Sequence, residues 1–242
     1  MTQKTQKDSW HVNLLTLFPE MFPGPLGHSL SGKALEQELW SYKAINIRDF
    51  TEDVHKTVDD TPYGGGAGMV MRADIIEKAL LSIEDPGHLV YMSPRGLPLT
   101  QAKTQELATL PALTILCGRY EGIDQRILEA YPFEEISIGD YVLSGGEPAA
   151  LTLMDSCIRL LPGVMGNDHT AEEESFSAET GGLLEYPHYT RPANWQSQNG
   201  QNYNVPEILT SGDHGKIAKW RQDQALEITK ARRPDLVGKE DL

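Results

Sequence analysis

Apolar and polar positions alternate in two rhythms along this chain. "HVNLLTLF" (11–18) reads as a strand that Pro19 ends, and "YKAINIRDF" (42–50) alternates with period two. Between them "SGKALEQELWS" (31–41) has helical spacing, with Ser31 placed as an N-cap. After a polar, glycine-rich connection from Thr51 to Gly68, the rhythms take turns. Helices are predicted at about 73–83, 100–108, 124–131 and 147–161, and strands at 88–93, 112–118 and 134–139. Such alternation predicts an α/β domain with a largely parallel sheet, whose ligands sit beyond the carboxyl ends of the strands. Residues 163–181 lack periodicity and are acidic, which reads as a linker. Beyond a Pro-, Asn- and Gln-rich stretch at 187–206, "GKIAKWRQDQALEITK" is helical again. The expected layout is therefore 1–162, a linker at 163–181, and a small helical domain at 182–242.

Composition excludes several classes. The longest apolar run is about six residues, "ALTILC", far short of the ~20 that span a bilayer. The polar start "MTQKTQKDS" carries no apolar signal region. Cys117 and Cys157 lie outside any CxxC, as buried free thiols would, and a cytoplasmic location is expected. The net charge of −14 argues against a nucleic-acid partner when taken alone. Yet Lys216 to Lys239 holds seven bases against three acids (Asp223, Glu227, Asp235). A local basic patch can bind a polyanion, and a solvated helix face explains the same run.

Motif searches remove other chemistries. "GHSLSGKA" (27–34) fits the start of a P-loop but ends in Ala34, which cannot ligate Mg²⁺ as the required hydroxyl does. There is no GxSxG, HExxH, EF-hand loop or GxGxxG, and the seven histidines have no metal-ligand spacing, so no metal site is expected. Glycines instead cluster where predicted strands end, in "YMSPRG" (91–96), "CGRYEGID" (117–124) and "SIGDYVLSGGEP" (137–148). Glycine there lets backbone groups approach a ligand closely, although glycines also simply terminate strands. "TPYGGGAGM" (61–69) adds a fourth such segment.

"TVDDTPYGGGAGM", "CGRYEGID", "SIGDYVLSGGE" and "YPHYTRP", with "LFPEMF", "SGDH" and "WR" in order, resemble the bacterial tRNA (guanine-N1-)-methyltransferase family of the SPOUT class. That resemblance covers nearly the whole chain. It implies a SPOUT-type parallel-sheet domain with a deep trefoil knot, followed by a small all-helical C-terminal domain that helps hold tRNA. It implies S-adenosylmethionine bound against the three loops, at Tyr91, Met92, Ser93, Pro94, Gly118, Glu121, Ser137, Ile138, Gly139, Tyr141, Leu143, Gly145 and Gly146. It further implies a homodimer in which the linker of one subunit reaches over the cofactor of the other.

The implied reaction is methyl transfer to N1 of the guanine at tRNA position 37. N1 carries a proton at neutral pH, so a general base must remove it, and the charge that spreads to O6 calls for a cation. By the resemblance the cation is Arg159, in the otherwise apolar "LTLMDSCIRLL", where an unpaired charge would be costly. A side chain snorkelling at a helix end is the bland alternative, and the position favours function. The family's base is an aspartate, and counting from "PGV" (162–164) to "SF" (175–176) places it on Glu174. Glutamate has nearly the same acidity, about 0.4 pKa unit away, with one more methylene of reach. Asp168 is the fallback, and Glu172 and Glu173 read as solvated linker charge. Mg²⁺ dependence is a family trait for which no dedicated ligand set is visible. The alternative is a catalytically silent RNA-binding SPOUT protein, separated from the enzyme by whether Glu174 works as a base.

Overall fold

The computed structural model describes residues 9–166, 174–177 and 180–238. The chain divides into two compact units, Met1–Asp168 and His169–Leu242.

In the first unit, strands and helices follow one another as β1 (Trp10–Thr16), α1 (Ser29–Glu36), β2 (Trp40–Asn46), the short β3 (Asp59–Asp60) and β4 (Val70–Met71), and α2 (Ala73–Leu81). Then come β5 (His88–Pro98), α3 (Gln101–Thr109), β6 (Ala112–Cys117), α4 (Gln125–Ala130), β7 (Glu134–Ser137) and α5 (Glu147–Ile158). Five strands form one sheet in the order β2-β1-β6-β5-β7, every pairing parallel. The expected α/β class and parallel sheet are observed. All six residues of β6 are buried, as a central strand covered on both faces must be. Its side chains divide between two cores. Leu113, Ile115 and Cys117 pack with Leu107 of α3 and Leu153, Met154 and Cys157 of α5. Leu116 packs on the other side with Ile76 of α2 and Ile127 of α4. Helices thus cover both faces of the sheet.

Three local departures from the sequence reading have physical causes. First, α1 runs Ser29–Glu36 rather than 31–41, and Ser31 is not its N-cap; its hydroxyl donates to the His28 carbonyl at 3.0 Å. Glu38 adopts φ +59°, and Leu39 and Glu38 donate back to the carbonyls of Ala34 and Leu35 at 2.9 and 3.0 Å. That pair of bonds closes the helix as glycine-capped helices close, and it frees Trp40 to open β2. Gly32, the glycine of the P-loop look-alike, lies so close to the preceding turn that a Cβ there would overlap the Gly27 carbonyl. Its role is packing.

Second, β5 continues past Met92. Ile136 pairs with both Met92 and Leu97, so Ser93–Gly96 bulges out at the strand end. Third, the polar connection is pinched by β3 and β4 into a loop at 61–69. Met71 then bonds to the Gly122 carbonyl at 2.9 Å and accepts from Asp124 at 2.9 Å, tying that loop beside β6.

The second unit holds α6 (His214–Arg232), capped by the Asp213 carboxylate on the Lys216 N–H at 3.1 Å. It is not all-helical. An antiparallel hairpin joins β8 (Asn194–Gln196) to β9 (Asn202–Asn204), with Trp195 stacked on Tyr203 across the pair at 5.5 Å. Polar residues surround these two rings, so no apolar alternation announced the strands. Among the described residues, no helix is long and apolar enough to cross a membrane.

On the sheet edge, Glu134 of β7 meets Lys103 at 2.9 Å and His88 at 2.8 Å. Burial pushes its carboxyl up, but Lys103 and then His88 outweigh burial and hold it below the usual value. A depressed carboxylate stabilises the fold above its unfolded pKa and loses that contribution as pH falls through the folded one. Glu134→Gln should therefore lower stability by roughly 1 kcal/mol at pH 7 and by progressively less in acid, read from urea midpoints at several pH values. A penalty that did not shrink in acid would contradict this.

Candidate functional site

Because β6, β5 and β7 are adjacent and parallel, the loops leaving their carboxyl ends emerge on one edge. They enclose a cavity of about 350 Å³. All thirteen residues expected to contact the cofactor line it, from Tyr91 on β5 to Gly146 ahead of α5.

The loops are braced against one another by backbone. Gly146 donates to the Gly118 carbonyl at 2.8 Å, fastening the third loop to the second. A Cβ on Gly146 would lie 2.8 Å from the Cys117 Cα and 2.9 Å from the Gly118 nitrogen. Only glycine fits without moving the main chain of β6. The Ser137 hydroxyl accepts from the Gly139 N–H at 3.2 Å, and Tyr141 bonds to the Ile138 carbonyl at 3.2 Å, so this loop folds on itself. Glu121 donates its N–H to the Met69 carbonyl at 3.0 Å, which docks the 61–69 loop at the rim. Gly146→Ala should raise the dissociation constant of the cavity's ligand at least about tenfold and cost about 1–3 kcal/mol of stability. Calorimetric titration with thermal melts reads both.

Three ionisable groups at the cavity or behind it are held neutral. Burial raises the Tyr91 hydroxyl, and burial followed by the nearby Glu147 carboxylate pushes the Cys117 thiol far above its usual range. Cys157, buried under the sheet, is pushed up to about 12 by the same desolvation. Neither thiol is a nucleophile at neutral pH.

Arg159 caps the carboxyl end of α5, half-buried, its N–H donating to Asp155 at 3.2 Å. Glu174 belongs to the second unit, where it is half-buried and opens a hydrogen-bonded turn. Its carbonyl accepts from the Ser177 N–H at 3.2 Å, and the Ser175 hydroxyl accepts from Glu185 at 2.9 Å. Residues 174–177, expected to lie in a linker, form this turn within the second unit. Asp168, Glu172 and Glu173 lie outside the described residues. On α6, Lys216, Lys219, Lys230 and Arg232 are exposed, while Arg221 lies over the Tyr186 ring at 4.7 Å. Lys239 is outside the described residues.

Residues 10–239 match the family described as tRNA (Guanine-1)-methyltransferase TrmD. The chain belongs to this family. Among its relatives, a tRNA (guanine-N(1)-)-methyltransferase of Mesorhizobium japonicum is 57% identical over 95% of this chain and 97% of its own length. One from Rhodospirillum rubrum is 59% identical over 92% and 90%, and one from Rhizobium etli is 55% identical over 96% and 97%. For this tRNA (guanine-1)-methyltransferase family member, the motif reading missed Arg95, Arg119, Tyr120 and Val142 on the same cavity wall. Arg119 and Tyr120 stand inside "CGRYEGID", so the motif itself was the signal. Tyr120 holds a left-handed φ of +58° with its hydroxyl accepting from Arg48 at 3.2 Å, a strain found where a loop is over-determined by its surroundings.

Proposed function

We propose that this protein transfers a methyl group from S-adenosylmethionine to N1 of the guanine at position 37 of tRNA. The observation that carries the reading is the convergence of three glycine-rich loops on one cavity, in a chain whose motifs follow the family from end to end. The cavity suits the donor: its volume falls in the range of small-ligand sites, and glycine leaves backbone edges bare for an adenine and a ribose. Bound there, S-adenosylmethionine supplies an electrophilic methyl on a sulfonium. Tyr91, Met92, Ser93, Pro94, Gly118, Glu121 and the 137–146 loop hold and orient it.

In the proposed chemistry, Glu174 accepts the N1 proton of guanine, which frees the lone pair that attacks the methyl. Arg159 stabilises the negative charge that spreads to O6. Holding the two reactants in line supplies much of the remaining acceleration. The proposed assembly is a cytoplasmic homodimer whose first unit carries the SPOUT knot and whose second unit, with the exposed bases of α6, grips tRNA. Mg²⁺ is a family expectation; among the described residues no group of three or more His, Cys, Asp or Glu is placed to hold it, and no step is assigned to it. The silent RNA-binding alternative has lost ground, because the close relatives carry methyltransferase names over nearly their full lengths.

The test is transfer of a labelled methyl group to tRNA. A substrate with guanine at position 37 should be labelled and the same tRNA with adenine there should not. Equal labelling of both would defeat the positional claim, and labelling of neither would favour the silent protein.

A further inference from the structure

Arg119 leaves the end of β6 and Glu147 opens α5, 28 positions later in sequence. Their side chains meet, Nε to Oε2 at 2.8 Å, with Glu147 fully buried and Arg119 16% exposed. The angle is poor for a hydrogen bond, so the contact is an ion pair. The other carboxylate oxygen accepts from the Thr16 hydroxyl at 2.7 Å, at the end of β1. Arg119 also donates through Nη1 to the Ser144 carbonyl at 3.2 Å and lies over the Phe18 ring at 4.3 Å. A Cβ on Gly145 would run into its Nε. One guanidinium therefore ties the ends of β1 and β6 to the 144–147 segment, and it does so from the cavity wall, which Arg119 lines and Glu147 does not.

Stability does not by itself explain this construction. Burying a carboxylate and a guanidinium together is costly, and well-packed apolar residues of similar volume commonly hold a fold as well. A fork of donors has another merit: it fixes several loops in direction as well as distance. Its drawback at this place is charge. On the proposed reading the ligand is a sulfonium, and a bare guanidinium on the wall of a small cavity would repel it.

We infer that Glu147 is a positioning and specificity residue, which neutralises Arg119 so that the guanidinium can brace the donor loops while the cavity still accepts a cationic methyl donor. This rests on the S-adenosylmethionine reading above. It also separates the donor from its product, because S-adenosylhomocysteine lacks the methyl and carries a neutral sulfur.

The experiment is calorimetric titration of the full-length protein with both ligands. In Glu147→Gln, which keeps size and removes charge, affinity for S-adenosylmethionine should fall roughly twentyfold further than affinity for S-adenosylhomocysteine, as a single uncompensated charge at ~8–10 Å and an effective dielectric near 20 would produce. In the double variant Arg119→Met/Glu147→Gln the cation is gone too, and the ratio of the two affinities should return to the parent's within about twofold. Equal loss of both ligands in Glu147→Gln would overturn the inference, and so would a ratio that stays shifted in the double variant. Arg119→Met alone supplies a sign test should Glu147→Gln not fold: its preference for the cationic ligand should hold or rise, and a fall would overturn the idea. A parent protein that bound neither ligand would sink the donor reading itself, whereas normal parental binding with unselective losses in the variants would sink only the role of Glu147.

Discussion

Replacing Glu174 with glutamine is expected to lower kcat for methyl transfer by ~10²–10⁴ and to leave S-adenosylmethionine affinity within about twofold. The asymmetry follows from the chemistry. Glutamine keeps the size of glutamate and can still accept a hydrogen bond, but it cannot take up a proton. The lone pair of guanine N1 would then stay engaged with hydrogen while the methyl waits. The turn that anchors residue 174 is held by its backbone carbonyl and by Ser175 and Ser177, none of which the substitution touches. Glu174→Asp keeps the proton acceptor and shortens the reach by one methylene, so it should sit between the parent and glutamine. Single-turnover rates with equilibrium binding separate these outcomes. Parental turnover in Glu174→Gln would remove Glu174 as the base.

The second large effect is on stability. Glu147→Ala leaves Arg119 without its buried partner and Thr16 without its acceptor. Removing one side of a buried pair costs about 3–5 kcal/mol, which in a chain of this size lowers Tm by roughly 6–20 °C. The exposed pairs give the contrast. Arg72–Asp74 and Arg126–Asp124 close at 2.7 and 2.6 Å, yet their arginine side chains are 38% and 71% exposed. Solvent screens them, and alanine at Asp74 should cost no more than about 1 kcal/mol. Urea midpoints measure both, and comparable losses at Glu147 and Asp74 would contradict the reading of the buried pair.

What was legible in the sequence follows from how each feature is encoded. Local rhythm encodes elements, so the unbroken apolar run of β6 and the 3.6-residue spacing of α2 and α5 were visible at once. The loops of the cavity were visible too, since glycines mark strand ends one loop at a time and parallel strands bring those ends together. Other features depend on partners far away. The early stop of α1 needs Glu38 in a left-handed conformation that its side chain does not announce. The β8–β9 hairpin is carried by one stacked ring pair in a run of Asn and Gln, and β3–β4 is only two residues long on each side. The Arg119–Glu147 pair spans two loops, and no local pattern predicts which buried charge meets which. Glu174 is proposed only from the resemblance, by counting between motifs. Its carbonyl opens a hydrogen-bonded turn, while Asp168, Glu172 and Glu173 fall outside the described residues.

The proposed reaction places one methyl group on N1 of one guanine. Mass spectrometry of tRNA treated with the protein and S-adenosylmethionine, then digested to nucleosides and to fragments spanning the anticodon loop, tests it most directly. The expected product is 1-methylguanosine, located at position 37 and nowhere else. A methyl group on the ribose, on another atom of guanine, or at another position in the tRNA would contradict it.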